Sequence, residues 1–255
     1  MRRELRQARR TAGTAVVTTS MLGAFMAYRR ITGREHDSAL RDAWMMRWSK
    51  TLLKLFSVQV SVIGELPAAG ASTSGRMVVA NHRSAIDIVA LLATFGGRMV
   101  SRHDIANWPG LGFGAKTVGT VFVDRSSARS GMVAIRAMKE LLVAGESITV
   151  FPEGTTFAGD EVHPFHQGAF VAVAGSGAPL VPVGIAYQSG AEVAYFNETF
   201  GHHLGKISKA KKTRVTIAVG PPIDTKGVRA AALEAKAHAS VVALVTEARS
   251  HCDRA

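Results

Sequence analysis

Cysteine is all but missing: Cys252, close to the end of the 255 residues, is the only one. Within one chain this excludes a disulfide framework and a cysteine-based zinc site, and it suits a reducing compartment. There is no Gly-x-Ser-x-Gly nucleophile elbow, no internal repeat and no low-complexity tract. Acidic side chains are outnumbered, 19 against 31 Lys and Arg, for a net charge of +12. A chain this basic is drawn to phosphate, on nucleic acid or on an anionic membrane, unless the excess merely solvates its surface. Hydrophobic residues make up 47%, enough for a real core, which excludes wholesale disorder. The length fits one sizeable domain with a small appendage.

The N-terminus is strongly basic, with Arg2, Arg3, Arg6, Arg9 and Arg10. Residues 11–28 then run without a charge until Arg29 and Arg30. Such a stretch is at the lower limit for spanning a bilayer and is only mildly apolar. A signal peptide is the alternative, but no small-residue cleavage site is evident. Residues 39–58 place Trp44, Met45, Trp48, Leu52, Leu55 and Phe56 at roughly helical spacing, interleaved with Arg41, Arg47, Lys50 and Lys54. This is a basic amphipathic helix, and its two tryptophans suit a membrane interface. The alternative is a helix packed on the protein's own core. The preferred expectation is a membrane-associated helical pair over 1–57, dipping into or lying on one leaflet.

From residue 58 short apolar runs alternate with helical segments. Strands are expected over 58–63, 77–80, 120–123, 147–151, 180–186, 193–196 and 214–219. Helices are expected over 84–94, 108–118, 126–144, 167–174 and 226–249. Alternation of this kind predicts an α/β domain over 58–255, with a mixed, largely buried sheet flanked by helices. Residues 68–75 are expected to be a small-residue loop, and 220–222 a turn before the last helix.

Three segments carry candidate chemistry, each following an apolar run. Asn81-His82-Arg83-Ser84-Ala85-Ile86-Asp87 follows one strand and opens a helix. Ser84 can cap that helix with Asp87 three residues later, as in a capping box. In one continuous helix His82 and Asp87 would point about 140° apart, at ~3.6 residues per turn. With His82 before the cap, the two can meet, and Asp87 can orient an imidazole that takes a proton. The plainer alternative is a capping Asp87 beside a surface histidine. Phe151-Pro152-Glu153-Gly154-Thr155-Thr156 brings Glu153 and Gly154 to a second strand end, where α/β proteins bind ligands; N–H groups near Gly154 could face an oxyanion, or the segment is a plain turn. Gly119 to Arg125 ends a third strand on a guanidinium suited to phosphate, with Lys116 upstream, or on an ordinary strand-end charge.

Taken jointly and in this order, these segments resemble the glycerolipid acyltransferase family that includes the lysophosphatidate acyltransferases. Residues 81–87 match its Asn-His-x-x-x-x-Asp signature, 119–125 its second block and 151–155 its third. Val181-Pro182-Val183-Gly184-Ile185 resembles its fourth. The resemblance implies that His82 is the general base and Asp87 its orienting partner. It implies that Arg125 and Glu153, with Lys116 nearby, hold the acceptor's head group, and that Gly154 and Thr155 shape the pocket. The donor would be acyl-CoA or acyl-carrier protein, a co-substrate rather than a cofactor, and no metal is required. The acceptor would be a lysophospholipid, first of all lysophosphatidate, giving phosphatidate. The implied location is the cytoplasmic face of the inner membrane, with the lipid bilayer as partner. The sequence departs from the lysophosphatidate pattern at Thr156, where Arg usually follows Gly-Thr, and has Gln167 where a basic residue often precedes Gly168. Thr-containing variants occur in branches resembling lyso-ornithine-lipid and lysophosphatidylcholine acyltransferases, which are the alternative acceptors.

Other features are set aside. His163 and His166 have metal-like spacing, but Pro164 opposes a helix and no carboxylate pattern completes a site. These two, with His202 and His203, are expected in loops. Gly201 to Lys206 is one residue short of a P-loop and lacks its Ser/Thr. The basic run 206–214 is expected to be a solvated loop or a headgroup-touching surface; neither a fold nor stacking aromatics supports nucleic acid. A non-catalytic lipid or carrier binder would not need the His82–Asp87 pair that this chain keeps.

Overall fold

The computed structural model describes residues 1–66, 75–108 and 110–254. Most of the expected 68–75 loop lies outside the described residues. Two helices, α1 (Arg2–Ile31) and α2 (Ser38–Phe56), precede β1 (Val58–Ile63) and β2 (Met77–Ala80). There follow α3 (Ala85–Phe95), β3 (Arg98–Arg102), a 3-10 turn (His103–Asn107), α4 (Leu111–Thr117), β4 (Val121–Val123), α5 (Ala128–Val143) and β5 (Ile148–Val150). The chain continues through α6 (Gly168–Ala174), β6 (Leu180–Tyr187), α7 (Phe200–Lys209), β7 (Thr213–Val219) and α8 (Ala230–Arg254).

The strands form one seven-stranded sheet in the order β1-β7-β6-β2-β5-β3-β4, parallel except between β6 and β7. The mixed, helix-flanked sheet is the expected fold. Side chains alternate across it, as the strand period of two demands. On β2, Val78 and Ala80 join the cluster containing Leu53, Leu91, Phe95 and Ile217, whereas Met77 and Val79 join Leu142, Phe170, Leu233 and Val241. Helices α2, α3 and α7 cover the first face; α5, α6 and α8 cover the second. Helix α8 lies directly on β6, and Gly184 allows it: a Cβ there would come within 2.3 Å of the Leu244 backbone.

The register of β2 in the centre delivers the site. β2 pairs in parallel with both β5 and β6, so their carboxyl ends share one edge. Asn81 extends that ladder by one residue with its side chain: Nδ2 donates to the Ile185 carbonyl at 3.0 Å and Oδ1 accepts from the Ile185 N–H at 2.8 Å.

Three expectations are corrected. Residues 193–196 are not a strand, because the segment's N–H groups turn elsewhere: Val193 donates to Ala191 and Tyr195 to the Arg83 carbonyl. β3 was not anticipated, because its sequence Arg-Met-Val-Ser-Arg carries a charge at each end. Residues 200–209, expected as loop, form α7, whose glycines and paired histidines hide its amphipathic pattern; Thr199 caps it by accepting from the His202 N–H.

The N-terminal helices pack on the rest of the chain. Trp48 Nε1 donates to Thr18 Oγ1 at 3.1 Å, and Trp44 packs against Phe25 with ring centroids 5.8 Å apart. The two tryptophans expected at a membrane interface are half-buried and also take part in helix–helix packing. Among the described residues no helix is long and apolar enough to cross a membrane. One buried arginine fastens α1. Arg10 donates to the carbonyls of Leu55 (3.0 Å), Ser208 (3.1 Å) and Ala210 (2.6 Å), and to Ser57 Oγ (2.9 Å). It thus supplies donors to the open carbonyl ends of α2 and α7, where cations are favoured. Arg10→Ala strands these acceptors and is expected to destabilise the fold by about 2–4 kcal/mol, since hydrogen bonds to a charged group each contribute about 1.5–3 kcal/mol. Denaturant unfolding measures this; an unchanged midpoint would mean that water replaces the guanidinium without loss.

Candidate active site

The site is built around a turn. After Asn81 the chain wraps the Asp87 carboxylate, which is fully buried (0% exposed) in the first turn of α3. Asp87 Oδ2 accepts from the Arg83 N–H at 2.6 Å and the Ser84 N–H at 2.8 Å. The second of these closes the capping box expected from the sequence. The same oxygen meets His82 Nδ1 at 2.9 Å. Asp87 Oδ1 accepts from the Tyr187 hydroxyl. Burial first, and then the Asp87 charge, hold the Tyr187 phenol well above its ordinary range, so it remains a donor. A carboxylate only accepts, so Nδ1 carries the hydrogen of neutral His82 and Nε2 keeps its lone pair. The imidazole lies flat on Phe151, centroids 3.8 Å apart and rings 7° from parallel, and its side chain is 15% exposed. The geometry therefore presents one basic nitrogen of a fixed ring at the carboxyl edge of β2.

Glu153 stands at the neighbouring strand end, 4% exposed. Its Oε1 accepts from the His82 N–H at 2.7 Å and its Oε2 from the His163 N–H at 3.1 Å. Both oxygens are therefore engaged by backbone, and Glu153 braces the His82 turn from below. Burial pushes its carboxyl up to about 7, against the pull of the two N–H groups. The His82 carbonyl also accepts from the Phe157 N–H at 3.2 Å, binding the two loops together. Gly154 has a left-handed φ of +83°, and a Cβ there would lie 2.7 Å from the His166 ring and 3.3 Å from Arg125 Nη1.

Arg125 is exposed and lines a cleft of about 370 Å³ with Arg102, Asp124 and Thr155. No hydrogen bond or ion pair engages its guanidinium among the described residues. The structure thus joins His82, Asp87 and Glu153 directly and places Gly154, Thr155 and Arg125 beside them. Lys116 sits apart, exposed in the last turn of α4, with no bond to the others. The hydroxyl of Thr156, the residue that departs from the family pattern, is donated to the Tyr195 carbonyl.

Several supporting residues escaped the sequence reading. His203 is fully buried against the start of α3: Nε2 accepts from the Ala85 N–H at 3.2 Å, and Nδ1 faces Glu198 at 3.2 Å. Burial lowers its pKa and favours the neutral ring that this pattern requires. Glu198 is drawn down to about 2, chiefly by its bond to Lys206. Tyr187 and His203 lie 100 or more residues from Asp87 or Ser84 in sequence, and no local spacing announces them. Arg83, inside the signature itself, is also buried. Among the described residues no cluster of His, Cys, Asp and Glu could hold a metal ion.

A family model described as Acyltransferase matches residues 58–186. A lyso-ornithine lipid O-acyltransferase of Pseudomonas aeruginosa is 28% identical over 225 residues, covering 86% of this chain and 85% of that protein. A 1-acyl-sn-glycerol-3-phosphate acyltransferase of Neisseria gonorrhoeae is 34% identical over 114 residues, 45% of each chain. The crystal structure of the 1-acyl-sn-glycerophosphate acyltransferase of Thermotoga maritima superposes with a TM-score of 0.70, at 23% identity, over 96% of this chain and 97% of that one. This last match shows a shared fold.

Glu153 gives the site a pH signature. A carboxyl raised from its ordinary 4.5 to about 7 favours folding most while protonated. Its contribution is complete below the unfolded value and is lost as pH rises through the folded one. Glu153→Gln does not titrate. The stability of the wild type relative to this variant should therefore decline by about 3 kcal/mol between the two values, at ~1.4 kcal/mol per pKa unit. Denaturant melts across that range provide the check; a constant difference would mean that Glu153 ionises as an exposed carboxylate does.

Proposed function

The chain belongs to the acyltransferase family, and from that premise we propose that it moves a fatty acyl group from a carrier thioester to the free hydroxyl of lysophosphatidate. The observation that carries the reading is the His82 ring, fixed at Nδ1 by Asp87 and open at Nε2. Nε2 removes the acceptor's hydroxyl proton as the oxygen attacks the thioester carbonyl carbon. The tetrahedral intermediate collapses, the carbon–sulfur bond breaks, and the departing thiolate takes the proton back from His82. Asp87 stabilises the imidazolium, and the Tyr187 hydroxyl holds the other carboxylate oxygen. Arg125 offers an unengaged planar cation to the phosphate, with Thr155 on the same wall. Glu153, whose two oxygens accept from the His82 and His163 N–H groups, positions His82 beside the head-group site. Lys116 contributes positive field from the edge. Acyl-CoA or acyl-carrier protein supplies the thioester.

The same reading places the protein on an anionic leaflet at the cytoplasmic face, peripherally or as a monotopic protein. Residues 1–57 would face the membrane and 58–255 carry the chemistry. Support comes from α1, which exposes Leu5, Val16 and Ile31 beside Arg2, Arg3 and Arg9. Apolar side chains set among cations suit an anionic membrane surface.

A second acceptor, lyso-ornithine lipid, is favoured by one residue and one relative. Thr156 replaces the expected arginine and spends its hydroxyl internally. A relative that aligns over 86% of this chain and 85% of its own is named for that lipid. The deciding assay is acyl transfer by detergent-solubilised protein, with lysophosphatidate, lyso-ornithine lipid and lysophosphatidylcholine as parallel acceptors. His82→Ala is expected to lower the rate by about 10²–10⁴-fold and to leave vesicle binding intact. Undiminished transfer by this variant would overturn the mechanism. Preference for lyso-ornithine lipid or lysophosphatidylcholine would overturn the lysophosphatidate assignment alone.

A further inference from the structure

Arg83 is 3% exposed, yet only its Nη2 has a protein partner, the Glu161 carbonyl at 2.9 Å. Its Nε and Nη1 are buried and unpartnered among the described residues. A buried donor without an acceptor costs about 1–3 kcal/mol, and more when charged. Such a group calls for an acceptor that the protein itself does not provide.

Arg83 lines a second cleft, of about 400 Å³, at the carboxyl end of β6. Asp160 and Arg249 form another part of its wall. Arg249 grips Asp160 through Nε at 2.6 Å and Nη2 at 2.8 Å, but the Asp160 side chain is still 38% exposed. Its carboxylate therefore retains acceptor capacity toward the cleft. By strand order this cleft lies on the β6 side of His82, whereas the Arg125 cleft lies on the β3–β4 side. The two clefts differ in charge pattern as well as place. A cleft with a cation short of acceptors and a carboxylate still partly accessible suits a ligand bearing both signs; a phosphate would satisfy Arg83 but bring no donor to Asp160, whose paired cation there is Arg249.

We propose that the Arg83–Asp160 cleft binds an amino-acid head group, with its carboxylate on Arg83 and its ammonium on Asp160. This rests on the acyl-transfer reading and assigns a separate seat to the amino-acid-headed acceptor, so that one base, His82, is reached from two head-group sites. Direct binding tests the cleft apart from catalysis. Nα-acetylornithine carries the carboxylate and ammonium without an acyl chain and serves as the calorimetric probe, with acetate and inorganic phosphate as controls. The full chain should bind it better than either control. Arg83→Gln and Asp160→Asn should each weaken binding about ten-fold or more, the value of one charge-assisted hydrogen bond. Because Arg83→Gln can disturb the buried turn, the more exposed Asp160→Asn carries the test if that variant does not fold. In the transfer assay, Asp160→Asn should lower the ratio of kcat/KM for lyso-ornithine lipid over lysophosphatidate by about the same factor. Failure of the wild type to bind the probe, or phosphate binding as well as the probe, overturns the cleft assignment even if acyl transfer is robust. Loss of transfer to every acceptor, with probe binding intact, would instead count against the acyl-transfer reading.

Discussion

A buried carboxylate cannot stand alone in a protein interior, and the site is organised around that constraint. Asp87 has no solvent contact, so its charge is held by donors on every side: two N–H groups of its own turn, the Tyr187 hydroxyl and the His82 ring. The positive end of α3 adds to the same effect. Each donor is thereby fixed as well. The turn closes, the tyrosine of β6 is drawn to the end of β2, and the imidazole loses its rotational freedom. Orientation of the imidazole and solvation of the carboxylate are one arrangement.

The surrounding contacts resist movement of that turn. Asn81 fixes its start to β6, Glu153 holds the His82 N–H from β5, and His203 buttresses the first turn of α3 from the far helix α7. His82 is therefore carried at the centre of the sheet, beside the parallel strands β2 and β5, while its flanks are open. Arg125 stands to one side of it and Arg83 to the other, one unengaged at the surface and one half-satisfied in the interior. Thr156 stands apart from this centre: its hydroxyl is bound to Tyr195, and among the described residues it makes no bond to the His82–Asp87 pair.

The N-terminal helices follow a related logic. Arg10 is buried because it meets the unsatisfied carbonyl ends of two other helices, and it converts a mildly apolar helix into one that docks on the domain. The apolar and basic side chains that remain outside this contact are available to a lipid surface.

The sequence determined a good deal by itself. Apolar runs of strand length, alternating with helical stretches, announced the α/β sheet, because backbone periodicity is a local property. The His82–Asp87 pair and the Ser84 cap were legible for the same reason: their contacts close within a few residues. What the sequence could not show is what depends on partners far along the chain. Residues 200–209 read as loop because glycines and histidines mask a helix whose buried face exists only against α1 and α3. Nothing local reveals that both oxygens of Glu153 meet backbone N–H groups. The contacts of Trp44 with Phe25 and of Trp48 with Thr18 were not legible, since a tryptophan facing lipid and one touching another helix share the same spacing. Tyr187 and His203 carried no signal at all. Tertiary structure alone decided which donors surround a buried charge, because desolvation is set by every element that closes over a group and not by its neighbours in the chain.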